Sequence, residues 1–262
     1  MRNDKLCFST LGCTEYSVSE VIELSKRFSV GAIELRGLCG RMNVYECEDF
    51  LPENIDSTLK RFSDAGISFP VLGTSVSCHE VFEGKRKLED TLKDIAFARK
   101  IGAKYIRVFG NKKTKSCSSP EVASVLSELC ALAKPYGISV LLEVHGDYNT
   151  VGMLSPILSA LSATENFGLI WDICHTDAIY ADGWEEFYLA VKPFIKHIHV
   201  KDRCRETMKL MPLGKGDIPI KAITDRLTSD GFEGYISLEW ERKWHPELSP
   251  IEDALSDFTE ML

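Results

Sequence analysis

Eight short runs rich in Val, Ile, Phe and Leu recur along the chain, and a helix-like segment lies between each run and the next. The runs are typical of buried strands, and the intervening segments carry apolar residues at the three-to-four spacing of a helix. Strands that alternate with helices indicate an α/β protein with a parallel sheet. The predicted strands are residues 6–9, 31–35, 68–72, 105–109, 139–144, 168–173, 195–200 and 235–239.

Local signals at the ends of the helix-like segments support repeated strand–helix units. Ser17 followed by Glu20 matches a capping box, in which the two side chains accept hydrogen bonds from the first free amides of a helix. Eight such units in a chain of 262 residues match the usual size of a closed (β/α)8 TIM barrel. We therefore predict a single domain over residues 1–262. An open doubly wound sheet is the alternative, but no G-x-G-x-x-G motif follows the first run.

Composition excludes several classes of protein. A hydrophobic fraction of 44% with 27% charged residues is typical of a globular chain. No apolar run reaches the roughly 18–20 residues of a membrane helix, and the first residues lack the apolar segment of a signal peptide, so we expect a cytoplasmic protein. The net charge of −8 disfavours a nucleic-acid partner. The nine cysteines contain no C-x-x-C pair, and we interpret them as reduced packing residues.

Ionisable residues stand where each of the last four apolar runs ends. In a barrel of this kind the catalytic side chains sit at the carboxyl ends of the strands. A carboxylate there is costly to bury without a partner, and one shared cation would offset that cost at all four runs. The predicted metal ligands are Glu143, Asp172, His199 and Glu239. Three carboxylates and one imidazole suit Mn²⁺, Mg²⁺ or Co²⁺, and Zn²⁺ also occurs in such sites. At any single position, a structural ion pair is the alternative.

The ordered set Glu…Asp-x-x-His…His-x-His-x-Lys-Asp…Gly-x-Gly-Asp…Ser-Leu-Glu resembles the xylose-isomerase-like TIM-barrel superfamily. That superfamily includes sugar phosphate isomerases, ketose 3-epimerases, inosose dehydratases and endonuclease IV. The matching motifs are specific within residues 138–241. The resemblance implies one divalent metal ion, best Mn²⁺, on the four ligands named above. It also implies that His175 binds a substrate hydroxyl group and that Arg205 contacts the substrate.

We therefore predict a divalent-metal-dependent isomerase or epimerase that acts on a sugar or sugar derivative. The reaction would remove a proton next to a carbonyl and pass through a metal-stabilised enediolate. The resemblance to the epimerases implies that Glu143 and Glu239 lie on opposite faces of the substrate carbon, where one removes the proton and the other returns it. His145 shares a strand face with Glu143 and is an alternative base. With His145 as base, the same first step would expel a β-substituent, as in a dehydratase or a lyase that cleaves keto-glycosides. Alternatively, His145 only supports the site through hydrogen bonds.

Two more residues are candidates for the substrate pocket. Lys201 would bind a substrate oxygen or phosphate, or pair with Asp202 or Glu241. Trp240 would stack on a sugar face, although an aromatic residue at this spacing is also typical of a core. The expected partner is a small sugar or cyclitol, with no nucleic acid and no membrane, and a homo-oligomer or partner subunit stays open. The acidic charge disfavours an endonuclease-IV-like phosphodiesterase, and the intact ligand set disfavours a non-catalytic subunit.

Overall fold

The computed structural model describes residues 5–262. Eight strands form one sheet, and they are β1 (Leu6–Ser9), β2 (Ala32–Glu34), β3 (Val71–Ser77), β4 (Tyr105–Phe109), β5 (Ser139–Glu143), β6 (Phe167–Asp172), β7 (Ile195–Val200) and β10 (Tyr235–Leu238). Their order in the sheet is β2-β1-β10-β7-β6-β5-β4-β3, and the pairs β1–β2, β1–β10, β3–β4, β4–β5 and β5–β6 are parallel. Two short strands, β8 (Asp202–Arg203) and β9 (Leu210–Met211), pair separately in antiparallel fashion.

Helices separate the strands, as the sequence predicts. They are α1 (Val18–Phe28), α2 (Ile55–Asp64), α3 (Cys78–Phe82), α4 (Thr91–Lys100), α5 (Ser119–Ala133), α6 (Val151–Ala160), α7 (Ile173–Tyr180), α8 (Trp184–Val191), α9 (Ile220–Ser229) and α10 (Ile251–Met261). The capping box of Ser17 and Glu20 at the start of α1 is confirmed, with both reciprocal hydrogen bonds present. Among the described residues, none of these helices combines the length and apolar character that crossing a membrane requires.

The chain divides into two compact units. The first unit contains residues 5–70 together with His199–Leu262, and the second unit contains Val71–Ile198. The chain passes from the first unit to the second between Pro70 and Val71, and it returns between Ile198 and His199, inside strand β7. A single domain over residues 1–262 stays a prediction.

The first unit is built around β1, which pairs with β2 on one side and with β10 on the other. Phe8 lies in register with Ile33 on β2 and with Leu238 on β10, and all three side chains are buried. Burial of three large apolar side chains in neighbouring positions stabilises the sheet by roughly 1.5–3 kcal/mol for each side chain. Because of this register, Glu34 and Glu239 each come one residue after the position that pairs with Phe8.

The second unit contains β3 to β6, and its core includes Val71, Leu141 and Ile170, with Tyr105 packed against them. The third strand runs from Val71 to Ser77, whereas the sequence predicted residues 68–72. Thr74 stabilises this polar second half of the strand by donating a hydrogen bond to the backbone oxygen of Arg107 on β4. The pairing shifts register between Gly73 and Ser77, so an apolar pattern of period two cannot locate the strand end.

Gly110 stands directly after β4, where the backbone passes against a buried ring. A Cβ atom at position 110 would lie 2.5 Å from the ring of Tyr148, whereas a Cβ atom at Gly152 in α6 would meet nothing within 4 Å. We predict that Gly110→Ala lowers the free energy of unfolding by about 1–3 kcal/mol, because the ring must move. The matched control Gly152→Ala should raise it by about 0.4–1 kcal/mol through the unfolded chain. Urea denaturation followed by circular dichroism measures both, and equal midpoints would contradict the expectation.

Candidate active site

A buried histidine lies between two buried carboxylates in the first unit. The Nε2 atom of His199 is 2.8 Å from Oε2 of Glu34, and its Nδ1 atom is 3.4 Å from Oε2 of Glu239. All three side chains are at most 3% exposed. An ionised carboxylate can only accept hydrogen bonds, so Nε2 carries a hydrogen that it donates to Glu34. This hydrogen bond fixes the ring and turns Nδ1 toward Glu239, which is how proteins commonly orient a metal-binding histidine.

The two carboxylates also set the charge of this histidine. Burial alone would lower the pKa of His199, but the negative charges of Glu239 and Glu34 raise it, and the resulting pKa is well above the ordinary value. In the metal-free protein the imidazolium therefore compensates part of the buried negative charge. A metal ion at Nδ1 would have to displace the proton there, because only the neutral nitrogen has a lone pair to offer.

Lys201 holds the other side of Glu239. Its Nζ atom is 2.7 Å from Oε2 of Glu239 and also contacts Oε1 of Glu241, and the lysine side chain is only 2% exposed. Of the two carboxylates predicted as pairing partners of Lys201, Glu241 is confirmed as a contact. The other, Asp202, is buried and accepts hydrogen bonds from backbone amides, including those of Gly214 and Gly216. A contact of Lys201 with substrate stays a prediction.

Arg205 and Trp240 occupy different surroundings. Arg205 is half-buried in the loop between β8 and β9, where its backbone amide donates to Oδ2 of Asp217 at 2.7 Å. The indole N–H of Trp240 donates to the backbone oxygen of Ser249 at 2.9 Å, and the side chain is almost fully buried. This burial matches the core alternative for Trp240. The substrate contacts predicted for both residues stay predictions.

In the second unit, Glu143 at the end of β5 forms a buried ion pair. Nη1 of Arg107 donates to Oε2 of Glu143 at 2.8 Å, and both side chains are at most 3% exposed. Arg107 also donates to the backbone oxygen of Thr74 and lies over the ring of Phe109, 4.3 Å from its centroid. Phe109 is in register with Glu143, so the arginine reaches the carboxylate along one face of neighbouring strands.

Asp172 ends β6 and begins α7. Its Oδ1 atom accepts hydrogen bonds from the backbone amides of Cys174 at 2.9 Å and His175 at 3.2 Å, so it is the N-cap of the helix. Its Oδ2 atom lies 3.8 Å from Nε2 of His175. Asp172 is fully buried, and the sequence analysis did not foresee the capping role. The N-cap accounts for one oxygen of the carboxylate and fixes the direction of the other.

His145 and His175 lie together in the second unit. Their ring centroids are 4.2 Å apart at an interplanar angle of 63°, and the ring of Phe109 packs 5.0 Å from that of His145. Both histidines are half-buried. Glu143 completes a group with them in which one possible ligand atom from each residue lies within 4.8 Å of the others. Such a group could hold a metal ion.

Sequence reasoning missed two charged residues of these clusters, Glu34 and Arg107. Both were visible as charges inside or at the end of an apolar run, and both are buried. A buried charge needs a partner, so the rule applied to the last four strands would also have selected Glu34 at the end of the second. Arg107 lies in the middle of β4, so its position in the strand does not predict a site residue, and its charge is the one signal in the sequence.

The chain belongs to the xylose isomerase-like TIM barrel family, whose model matches residues 24–260. This match confirms both the predicted (β/α)8 fold and the resemblance drawn from residues 138–241. Its eight-stranded sheet is the sheet of that fold.

Proteins similar to this chain have different activities. It is 26% identical over 277 aligned positions to inosose isomerase of Bacillus velezensis, and the alignment covers 95% of this chain and 92% of the relative. The probable 3-DHS dehydratase AsbF of Bacillus anthracis has a similar fold, with a TM-score of 0.78, 18% identity, and coverage of 98% and 97% of the two chains. The IOLI protein, described with a bound zinc atom, gives a TM-score of 0.76 at 20% identity, with coverage of 98% and 96%.

The role of Glu34 can be tested on His199. We predict that Glu34→Gln lowers the pKa of His199 in metal-free protein, because a negative charge that raises it is removed. Titration of the His199 ring nitrogens by NMR measures the change, and Glu23→Gln, at an exposed carboxyl of α1, is the control. An unchanged titration in Glu34→Gln would contradict the assigned geometry.

The same pairing sets a pH dependence of stability in the metal-free protein. Because the folded pKa of His199 is raised, its contribution is complete below the unfolded pKa of about 6.5 and is lost as the pH rises through the folded pKa. We therefore predict that the free energy of unfolding falls above neutral pH less steeply in Glu34→Gln than in the wild-type chain. Urea denaturation across this pH range measures the two slopes, and identical slopes would disprove the coupling.

Proposed function

We propose that this protein is a divalent-metal-dependent isomerase or epimerase acting on a sugar or sugar derivative. Glu143, Asp172, His199 and Glu239 are the proposed metal ligands, and Mn²⁺, Co²⁺, Mg²⁺ and Zn²⁺ all suit them. The arrangement of His199 carries the proposal. Its Nε2–H is held by Glu34, and its Nδ1 points to a second buried carboxylate, Glu239. A histidine that binds a metal ion through one ring nitrogen is commonly held by a carboxylate at the other, and Glu34 holds His199 in this way.

The order of the strands supports a shared site for the four ligands. They stand at or next to the carboxyl ends of β5, β6, β7 and β10, which are consecutive neighbours in the sheet. In a (β/α)8 barrel these ends open on one face, where the active site lies. The zinc atom described in the IOLI protein, a chain of the same fold, also supports a metal ion.

Each of the two proposed acid–base groups is held by one buried cation within its own unit. Arg107 pairs with Glu143 at 2.8 Å, and Lys201 pairs with Glu239 at 2.7 Å. A neighbouring cation favours the ionised form of a carboxylate, which is the form that removes a proton. When bound, the metal ion acts as a Lewis acid that polarises the substrate carbonyl and makes the adjacent C–H more acidic. Glu143 and Glu239 then take and return that proton.

Hydrogen exchange tests this proposal directly. Metal-loaded protein is incubated with ketoses, inososes and 3-keto-glycosides in D₂O, and NMR follows deuterium entering next to the carbonyl. We expect exchange in at least one of these classes, and loss of exchange after chelation with recovery on adding Mn²⁺. Asp172→Asn and His199→Gln should each slow exchange by about 100-fold or more, whereas Asp225→Asn at an exposed position should not. Equal exchange in the ligand variants, or in chelated protein, would disprove the metal-dependent reaction.

A lyase is the second candidate, because His145 provides a half-exposed imidazole that shares a strand face with Glu143. The ordinary pKa range of histidine suits a base at neutral pH. The similar fold of a probable dehydratase supports the same alternative. The first step would be the same proton removal, followed by departure of a β-substituent from the adjacent carbon.

The products distinguish the two reactions. A lyase predicts that the β-group is released into solution and that His145→Gln abolishes this release. The variant should still bind the metal ion, because the proposed ligands, such as His199, are unchanged. An isomerase or epimerase predicts deuterated products that keep every substituent. Retention of the substituent in all three substrate classes would therefore eliminate the lyase.

A further inference from the structure

We infer that Cys39 and Cys47 are a pair of thiols that a small disulfide reagent oxidises to a bond between their own sulfur atoms. The two residues lie in the loop between β2 and α2, and this loop belongs wholly to the first unit. Their thiols are in hydrogen-bond contact with each other. The inference does not depend on the proposed function, because neither cysteine is a proposed metal ligand.

The backbone beside Cys39 brings the two sulfur atoms together. Sγ of Cys47 lies 3.0 Å from the backbone oxygen of Leu38, the residue before Cys39. In a trans peptide that oxygen is about 2.8 Å from Cα of the next residue, so Sγ of Cys47 is within about 5.8 Å of Cα of Cys39. Disulfides join residues whose Cα atoms are usually about 4.4–6.8 Å apart. Rotation of the two side chains, without a large movement of the backbone, therefore suffices to form the bond.

Backbone hydrogen bonds hold Cys39 in this position. Leu38 and Arg41 each donate their amide to the backbone oxygen of the other at 2.8 Å, which closes a tight turn around Cys39. The amide of Cys39 donates to the backbone oxygen of Tyr16 at 3.0 Å. Because the turn is fixed on both sides, Cys39 is kept next to Cys47 in the reduced chain.

The two thiols differ in access to a reagent. Cys39 is half-buried, whereas Cys47 is only 2% exposed. A cavity of about 600 Å³ borders both residues. A small molecule in this cavity reaches the sulfur atom of Cys39 more readily, so Cys39 should react first and Cys47 second.

The charge of this cavity favours a cationic reagent. A basic residue, Arg41, lines it together with four acidic residues, which are Glu46, Glu48, Asp49 and Glu53. A cleft that carries mainly one sign of charge concentrates small ions of the opposite sign. The reagent class is therefore a small cationic disulfide, of which cystamine is an example, rather than an anionic one such as oxidised glutathione.

The surroundings of the thiols favour a bond that forms slowly and lasts. Burial raises the pKa of both thiols, to about 12 for Cys47, and the negative charge of Asp49 raises them further. The thiol of Cys39 donates to Oδ2 of Asp49 at 3.9 Å. Since the thiolate is the reacting form, oxidation at neutral pH is slow. Surroundings that do not stabilise a thiolate also do not stabilise the reduced pair, and the disulfide is then hard to reduce.

The reaction is two successive thiol–disulfide exchanges. The thiolate of Cys39 attacks one sulfur atom of cystamine, the bond between the two cystamine sulfur atoms breaks, and one cysteamine leaves. The thiolate of Cys47 then attacks Sγ of Cys39 and displaces the second cysteamine. The protein loses two electrons and the two thiol protons. Cystamine gains them and becomes two molecules of cysteamine.

Peptide mapping tests the inference without an activity assay. Native full-length protein is incubated with cystamine, remaining thiols are blocked with N-ethylmaleimide, and tryptic peptides are analysed by mass spectrometry. Cys39 and Cys47 fall in separate tryptic peptides, residues 37–41 and 42–60, and each peptide contains one cysteine. We expect these two peptides to be linked to each other in the oxidised wild-type chain and to separate on reduction with dithiothreitol.

Variants test the order of the two steps. Cys47→Ser should retain cysteamine on the peptide 37–41, because the displacing thiol is missing. Cys39→Ser should lose the link and leave the peptide 42–60 blocked by N-ethylmaleimide. Cys204→Ser, at a half-buried cysteine of the same unit, is the matched control and should form the link as the wild-type chain does. Circular dichroism checks that each variant folds.

The outcomes are decisive in either direction. Separate cysteamine adducts on the two peptides, two blocked thiols, or links from either peptide to another cysteine would overturn the inferred pair. Cystamine should form the link about tenfold faster than oxidised glutathione at low ionic strength, and equal rates would contradict the assigned class of reagent. The link would form equally in a chain that fails the hydrogen-exchange test, so the proposed function and this inference stand or fall separately.

Discussion

Buried charge at the carboxyl ends of the strands is the constraint on which this structure depends. The ionisable residues at these ends are Glu34, Glu143, Asp172, His199 and Glu239, and each is at most 2% exposed. Charged groups are expensive to bury unless an opposite charge or several hydrogen bonds compensate them. Each unit supplies compensation from its own residues, and the loops and helix starts around the strand ends provide much of it.

The two units compensate their buried carboxylates with different groups. In the first unit, a single imidazole is shared by two carboxylates, and Lys201 adds a second cation at Glu239. In the second unit, Arg107 pairs with Glu143, while backbone amides at the start of α7 hold Asp172. The helix cap on Asp172 uses only Oδ1, and the proton on His199 is one that a metal ion would replace. The same buried charges therefore stabilise the fold and include the proposed metal ligands.

Membership of the family determines the framework but not the reaction. Similar proteins include an isomerase and a probable dehydratase, and the same framework supports both by variation at the strand ends. In this chain His145 and His175 lie beside Glu143, and their ring centroids are 4.2 Å apart. Their imidazoles add groups that can transfer protons next to Glu143 and Asp172.

Much of the fold could be predicted because its signals are local. Periodicity located seven of the eight sheet strands closely, and the capping box of Ser17 and Glu20 marked the start of α1. The third strand was misplaced, since a register shift and polar residues such as Thr74 remove the apolar pattern from its second half. Residues at strand ends were also predictable, because the alternation of side chains tells which ones share a face.

The sequence by itself determined the alternating architecture and the kinds of ionisable groups at the ends of its strands. Only the tertiary structure decided how those groups pair. Glu34 and His199 are 165 positions apart in the chain, and Arg107 and Glu143 are 36 apart, yet each pair is in hydrogen-bond contact at 2.8 Å. Such contacts follow from the register and packing of distant strands, and a local pattern does not contain that information. For the same physical reason, the tertiary structure alone shows that Nδ1 of His199 faces Glu239.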